Sequence, residues 1–460
     1  MNPKRPKTVD SKWSLLLNPQ RLRDSRVKKP SNYDGRSVFE NDYDRVVFSS
    51  AFRRLKNKAQ VFSLDRHDFV RTRLTHSIEV STIGRALGDG VAKGLGIQQD
   101  LGSLVATTCL LHDIGNPPFG HSGEWAIGSW FQDRIGKDKM FKMDDQEQRD
   151  LSAFEGNAQG FRIATRTQWS GTEYGLNLTS ATLSALIKYP CSSVEGLKDG
   201  PKALKKFGCF KADQGAYELV RENTGLSGPV RHPLTFMMEA ADDIAYATGD
   251  LEDVLKKGLV SYDEIRTTLR SNADEFAKEL IKKYLDDVYR QLGGIIKDKK
   301  ERQQIALQRF CQAAVRQMTK SAIEYFLEKT EEIIAGTFDG SIVEINGKKA
   351  GGMKLASLCT ALKKVMEAGV YSHFEIITRE QPTKRVIHSL LDAIDAELFD
   401  NPKGALAQKV YTLAPSNPCD RKDVSANYVR AMRMTDYVAG MTDTFAFAEY
   451  QRINGMKASL

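Results

Sequence analysis

The stretch LLHDIGNPPFGHSGE, residues 110–124, sets His112 and Asp113 side by side. It then turns through Gly115-Asn116-Pro117-Pro118 and returns to His121 and Glu124. The chain has seven histidines, and two of them fall here. Leu110 and Leu111 lead into the pair, which places it where a buried helix ends. An imidazole and a carboxylate at the wall of a core are costly unless something compensates them. A divalent cation would compensate them well.

The surrounding chain supports such a core. Its 460 residues are 41% apolar and 27% charged, ordinary for a globular protein and enough for two or three lobes. No apolar run is long enough for a membrane span, and the basic N-terminus lacks the apolar segment of a secretory signal. The six scattered cysteines (109, 191, 209, 311, 359, 419) form no CxxC pair. They read as free thiols of a reducing compartment, so a cytoplasmic location is expected. Residues 1–30 hold nine Lys/Arg against Asp10 and Asp24, whereas the whole chain carries +8. Nearly all the net charge therefore lies in a basic arm, residues 1–35, expected to be irregular apart from an apolar knot at Trp13–Leu17.

Apolar spacing predicts helices over Asp42–Lys58, His76–Gly96, Leu101–Asp113, Leu176–Pro190 and Leu234–Gly258. Residues 261–333, 353–400 and 424–455 also read as helix. Gly336–Gly352, with Asn346-Gly347 at a turn, predicts a β-hairpin. The expected fold is mostly α. A large helical domain is expected over 36–335, and 336–460 adds a hairpin and a helical C-terminal lobe.

Four features could share one site: His76 in RTRLTHSIEV, the His112–Asp113 pair, Asp242 in EAADDIAYATGD, and the pair His121 and Glu124. Two imidazoles and two carboxylates suit a borderline-to-hard divalent ion such as Mn, Mg, Fe, Co, Ni or Zn. An octahedral ion held by four protein groups keeps two positions open for water and a phosphate oxygen, an arrangement fit for hydrolysis. Asp242, Tyr246 and Asp250 are spaced i, i+4 and i+8, so they line one helix face. Acids stacked on such a face favour a cation or polar ligand nearby.

In order, RTRLTHSIEV, LLHDIGNPPFGHSGE, FEGNAQGFR, GLNLTSATLSALIKYP and EAADDIAYATGDLED resemble the HD-superfamily deoxynucleoside triphosphate triphosphohydrolases, or dGTPase-like proteins. The resemblance runs from about Trp13 to about Ala446. It implies a divalent metal held by His76, His112, Asp113 and Asp242, and conversion of a dNTP into deoxynucleoside and tripolyphosphate. It also implies His121 as general acid with Glu124 orienting it, and Arg73 as a phosphate ligand. Gln60 and Lys206 correspond to weaker substrate positions. Tyr246 and Asp250 are expected beside the sugar, where a packed ring would exclude a 2′-OH. Relatives form homo-oligomers, often hexamers, and some bind single-stranded DNA; the basic arm and the 296–304 run are compatible with DNA contact. Two rival readings are an HD phosphohydrolase of another nucleotide and a dNTP or DNA sensor without turnover. The intact His121–Glu124 pair argues against the sensor. Arg430, Arg433 and Asp436 receive no role from the sequence.

Overall fold

The computed structural model describes residues 7–23, 35–64, 67–135, 142–168, 174–197, 199–343, 350–369, 380–400, 403–413 and 423–456. Among them the fold is helical, with isolated β-bridges and no β-strand. No helix is long and apolar enough to cross a membrane.

Part of the expected irregular arm is ordered. Helix α1 (Lys7–Leu16) buries Trp13 and Leu16 in the main core. Arg21 then pairs with the fully buried Asp42 at 2.7 Å. The helix expected over 42–58 is two: α2 (Val38–Val47) and α3 (Ser50–Arg54). Ser49 breaks the run because its hydroxyl accepts the Phe52 N–H and caps α3.

The pair that frames the site is α4 (Arg73–Leu95) and α5 (Leu101–Leu111). Thr72 caps α4, and Asp100 caps α5 by accepting the Ser103 N–H. A Cβ on Gly84 would lie 2.5 Å from Cys109 Sγ, and one on Gly88 2.5 Å from the Leu101 carbonyl oxygen. Glycines on one face of α4 thus let the two backbones approach closely. His76, two turns before Gly84 on that face, is drawn toward the end of α5.

Beyond the 115–120 turn, α6 (His121–Arg134) begins at His121, and the first residue of α7 (Gly156–Arg162) donates its N–H to Glu124 on it. The helix expected over 176–190 is confined to α8 (Ser180–Leu186). Helix α9 (Pro233–Lys257) starts with proline at its first position, where a missing N–H costs nothing. Gly249 does not interrupt it. Helix α10 (Lys299–Ala335) runs along the far side of α4; Cβ atoms on Gly90 and Gly94 would strike Ile323 and Leu327.

The expected hairpin is not seen in the described part of its range. Residues 337–343 are irregular, with Ile342 and Val343 buried, and 350–352 open helix α11 (Ala350–Gly369). Residues 344–349, which hold the Asn-Gly turn, lie outside the described residues, as does Cys419. The apolar side chains of 342–343 are consumed by the helical core, so they do not pair as strands. The C-terminal part continues through α12 (Glu380–Asp400), α13 (Ala426–Ala439) and α14 (Asp443–Ile453).

The buried side chains form two clusters. One gathers α1, α4, α5, α8, α9, α10 and α11. The other joins α6 and α7 to α12 and α13. The site lies where the clusters meet, at the turn from α5 to α6.

Candidate active site

His76, His112 and Asp242 come together, each offering a ligand atom within 4.8 Å of the others. His76 Nε2 is 3.1 Å from Asp242 Oδ1, and His112 Nε2 is 3.6 Å from the same oxygen. The His112 ring is held from behind: Nδ1 stands 2.6 Å from the Cys109 carbonyl oxygen. A carbonyl can only accept, so Nδ1 carries the proton and Nε2 presents a lone pair to the group. That Nε2 is buried without a hydrogen-bond partner among the described residues. A buried nitrogen lone pair converging with an imidazole and a carboxylate fits a divalent cation.

Asp113 lies against this group and is shared with Arg73. Its Oδ2 is 3.6 Å from His112 Nε2 but 2.6 Å from the Arg73 guanidinium, and Asn116 donates to its other oxygen. Burial pushes both carboxylates upward, yet their polar neighbours outweigh it. Asp242 is held at about 2 by His112 and His76. Asp113 is held well below the usual carboxylate range, Arg73 acting first. Both remain anionic near neutral pH.

The acids of α9 divide by partner. Glu239 is taken by Arg231 at 2.9 Å and Asp243 by Lys363 at 3.1 Å, so these two do not face the group. Asp250 is 2% exposed, has an unpartnered Oδ2 among the described residues, and is raised to about 7 by burial. Tyr246 lies between Asp242 and Asp250, half-buried. Burial thus favours the neutral carboxyl of Asp250 more than that of an ordinary aspartate.

Neither member of the His112–Asp113 pair is helical; both follow the last residue of α5, whereas His121 and Glu124 occupy the first turn of α6. His121 Nδ1 donates to Glu124 Oε2 at 2.6 Å, and its ring stands 82% exposed. The other Glu124 oxygen accepts the Gly156 N–H at 2.9 Å. A Cβ at position 156 would meet Glu124 Oε1 at 2.4 Å, so glycine is required for this contact. The bond to Glu124 raises the His121 pKa above the ordinary histidine value, chiefly through that hydrogen bond. His121 Nε2 faces outward, free to carry a proton to a ligand.

Arg73 is 6% exposed and bound to Asp113, and its Nε is unpartnered among the described residues. Gln60 Oε1 is likewise buried and unpartnered there. Lys206 pairs with Glu155 at 2.9 Å and lies near Glu124 and His121, beside the acid pair and not the metal group. Sequence reasoning passed over three neighbours. Lys188 reaches Glu239 at 3.7 Å and faces Asp242 and Asp243 electrostatically. Lys58 and Asp443 grip the 116–119 turn. Lys188 stood inside a quoted motif; Lys58 and Asp443 are far apart in the chain and left no local signal.

A family model described as HD domain matches residues 73–150, and one described as phosphohydrolase-associated domain matches residues 352–452. The chain is 36% identical to the deoxyguanosinetriphosphate triphosphohydrolase-like protein of Listeria monocytogenes serovar 1/2a, covering 97% of this chain and 100% of that one. It belongs to the HD-superfamily dGTPase-like proteins. The like-named protein of Pseudomonas aeruginosa (strain LESB58) is 34% identical over 96% of this chain and 98% of its own. The deoxyguanosinetriphosphate triphosphohydrolase of Serratia proteamaculans (strain 568) is 30% identical over 97% and 99%. In this dGTPase-like chain the HD match covers His76, His112, Asp113, His121 and Glu124, while Asp242 arrives from α9 outside it.

Proposed function

We propose that the protein hydrolyses deoxynucleoside triphosphates, dGTP among them, to deoxynucleoside and inorganic tripolyphosphate with a divalent metal such as Mn²⁺ or Mg²⁺. The observation that carries this is the lone pair of His112 Nε2, converging with His76 and Asp242, with an exposed His121 hydrogen-bonded to Glu124 at the start of the next helix. His76, His112, Asp113 and Asp242 would hold the cation. A bound cation there would acidify a water and draw charge from the phosphoryl oxygens.

In this reading water attacks the α-phosphorus and the bond from phosphorus to the 5′ oxygen breaks. The electron pair stays on that oxygen, a poor leaving group unless protonated. His121 Nε2 supplies the proton, and the anionic Glu124 stabilises the imidazolium beforehand. Arg73 neutralises phosphate charge, with Lys206 beside the acid pair and Gln60 as further contacts. Asp250 takes the 3′-OH, and Tyr246 packs under the sugar where a 2′-OH would clash. Regulation of dNTP pools, a homo-oligomer such as a hexamer and contact with single-stranded DNA belong to the same reading.

The test is product analysis. Incubation of the protein with Mn²⁺ and each dNTP is expected to release deoxynucleoside and tripolyphosphate. Pyrophosphate or orthophosphate would place the cut at another bond. In the same assay His121→Ala is expected to lose at least about a hundredfold in kcat, the scale of general acid catalysis. It should keep the rise in Tm on adding Mn²⁺, because it leaves His76, His112 and Asp242 in place. Normal turnover by that variant would remove the acid role.

A further inference from the structure

Asp443 opens α14 and lies more than 300 positions from the 115–120 turn, yet it is 2% exposed and packed against it. Its Oδ1 accepts the Phe119 N–H at 3.0 Å, and its Oδ2 accepts the Ala59 N–H at 3.2 Å. Lys58, 3% exposed, crosses in the opposite sense. Its ammonium donates to the Asn116 carbonyl and, at 2.9 Å, to the Ala439 carbonyl that ends α13. The two groups face each other electrostatically, while burial pushes the Lys58 amine down to about 7 and the Asp443 carboxyl up. Residues 58–59 are in turn fastened to the start of α4. The Lys58 carbonyl accepts the Arg73 N–H at 2.9 Å, and Ala59 bridges to Thr72. One clamp therefore ties three segments: the head of the helix bearing Arg73 and His76, the turn before His121, and the junction of α13 with α14.

The turn needs holding. Phe119 sits at φ 66°, a left-handed conformation that a residue with a Cβ adopts at a cost, and Gly120 follows at φ 60°. A Cβ on Gly120 would come within 2.7 Å of the Arg73 guanidinium, so the turn lies directly over that side chain. Two positive-φ residues in succession aim the first turn of α6, and with it His121 and Glu124.

We propose that Asp443 is a positioning residue for the active site: with Lys58 it locks Phe119–Gly120 in the turn that presents His121 and Glu124 to the metal group. The proposal rests on His121 acting as the acid. It gives the 352–452 region, which supplies none of the candidate metal ligands, a part in catalysis.

The test uses the full chain with Mn²⁺ and dGTP. Asp443→Asn keeps the size but sets an NH₂ against a backbone N–H; Asp443→Ala removes both acceptors. Both are expected to lower kcat about 10- to 100-fold, within the range given by a misplaced acid. KM and the Mn²⁺ concentration for half activation should stay within about threefold, because the metal group is untouched. Phe119→Gly in the Asp443→Ala background should recover kcat about fivefold or more, since glycine takes positive φ without an anchor. Deuterium exchange of a peptide spanning 115–124, which needs no turnover, should quicken in Asp443→Ala. A kcat within twofold of wild type in both single variants would overturn the proposal, as would unchanged exchange. So would a joint fall of kcat, Mn²⁺ response and Tm with no recovery in the double variant, the pattern of a purely structural residue. Wild-type protein without dNTP turnover would overturn the hydrolase reading instead, and the exchange result would then decide the clamp alone.

Discussion

His121 and Glu124 show how much one hydrogen bond can decide. The imidazole is open to solvent and would titrate as an ordinary histidine if it stood alone. Its bond to Glu124 raises its pKa, so the protonated form persists to higher pH than usual. The protonated form is the acid, so activity limited by His121 falls as pH rises through this raised pKa. Glu124→Gln removes the charge that raises it. Its alkaline limb should therefore move to lower pH, with kcat down about 10- to 100-fold. A pH–rate profile for both proteins checks this, and an unmoved alkaline limb would separate that limb from His121. Asp250 is a second residue set by its surroundings, raised to about 7 by burial beside the metal group. The sequence showed that these residues share a face or a motif. It did not show that Glu239 and Asp243 are satisfied by Arg231 and Lys363, because those partners come from other segments.

Among the elements, the α4–α5 pair does most to assemble the metal group. Gly88 lets the helices touch through backbone atoms and Gly84 leaves room for the Cys109 thiol, and that closeness sets the reach from His76 to His112. Gly88→Ala would force a Cβ against the Leu101 carbonyl at 2.5 Å, where no flexible side chain can yield. We expect a loss of about 1–3 kcal/mol in stability, the scale of overpacking, and weaker Mn²⁺ activation. Denaturant melts and a Mn²⁺ titration measure both, and a variant matching wild type in both would show the seam to be unnecessary. The helices legible in the sequence were those with a long apolar stripe and an end signal: α4 with Gly96, α5, and α9 with Gly258. The misread ones failed for local reasons. Ser49 divided the 42–58 run through a cap, and apolar residues of 336–343 went to a helical core instead of a strand pair. In the N-terminal arm, the Trp13–Leu17 knot proved to be the buried side of a helix whose charges had masked it.

At the scale of the molecule, the second buried cluster is held by charge as well as by apolar contact. Arg162, fully buried, reaches Asp213 at 2.8 Å and Asp436 at 2.7 Å, linking α7 to α13. This places Asp436, which the sequence left without a role. Arg430 pairs with Asp395, and Arg433 lies over the Tyr411 ring, so these two also bind the C-terminal helices to one another. Such pairings cross 22 to 274 positions and leave no periodic trace, so no reading of local pattern could find them. Arg162→Met would leave Asp436 without its cation and Asp213 with Arg166 at 3.2 Å. It should cost about 3–5 kcal/mol, as breaking buried pairs does. A chemical-denaturation curve checks this, and a loss under about 1 kcal/mol would mean that water or a second cation replaces the arginine. The whole arrangement serves one bond. Cleavage of dGTP in ¹⁸O-labelled water, with both products weighed by mass spectrometry, tests that most directly. Attack at the α-phosphorus with protonation of the 5′ oxygen by His121 puts the label in tripolyphosphate and leaves the deoxynucleoside unlabelled. Label in the 5′-OH of the deoxynucleoside would mean that the carbon–oxygen bond breaks, and would contradict the roles given to His121 and the metal group.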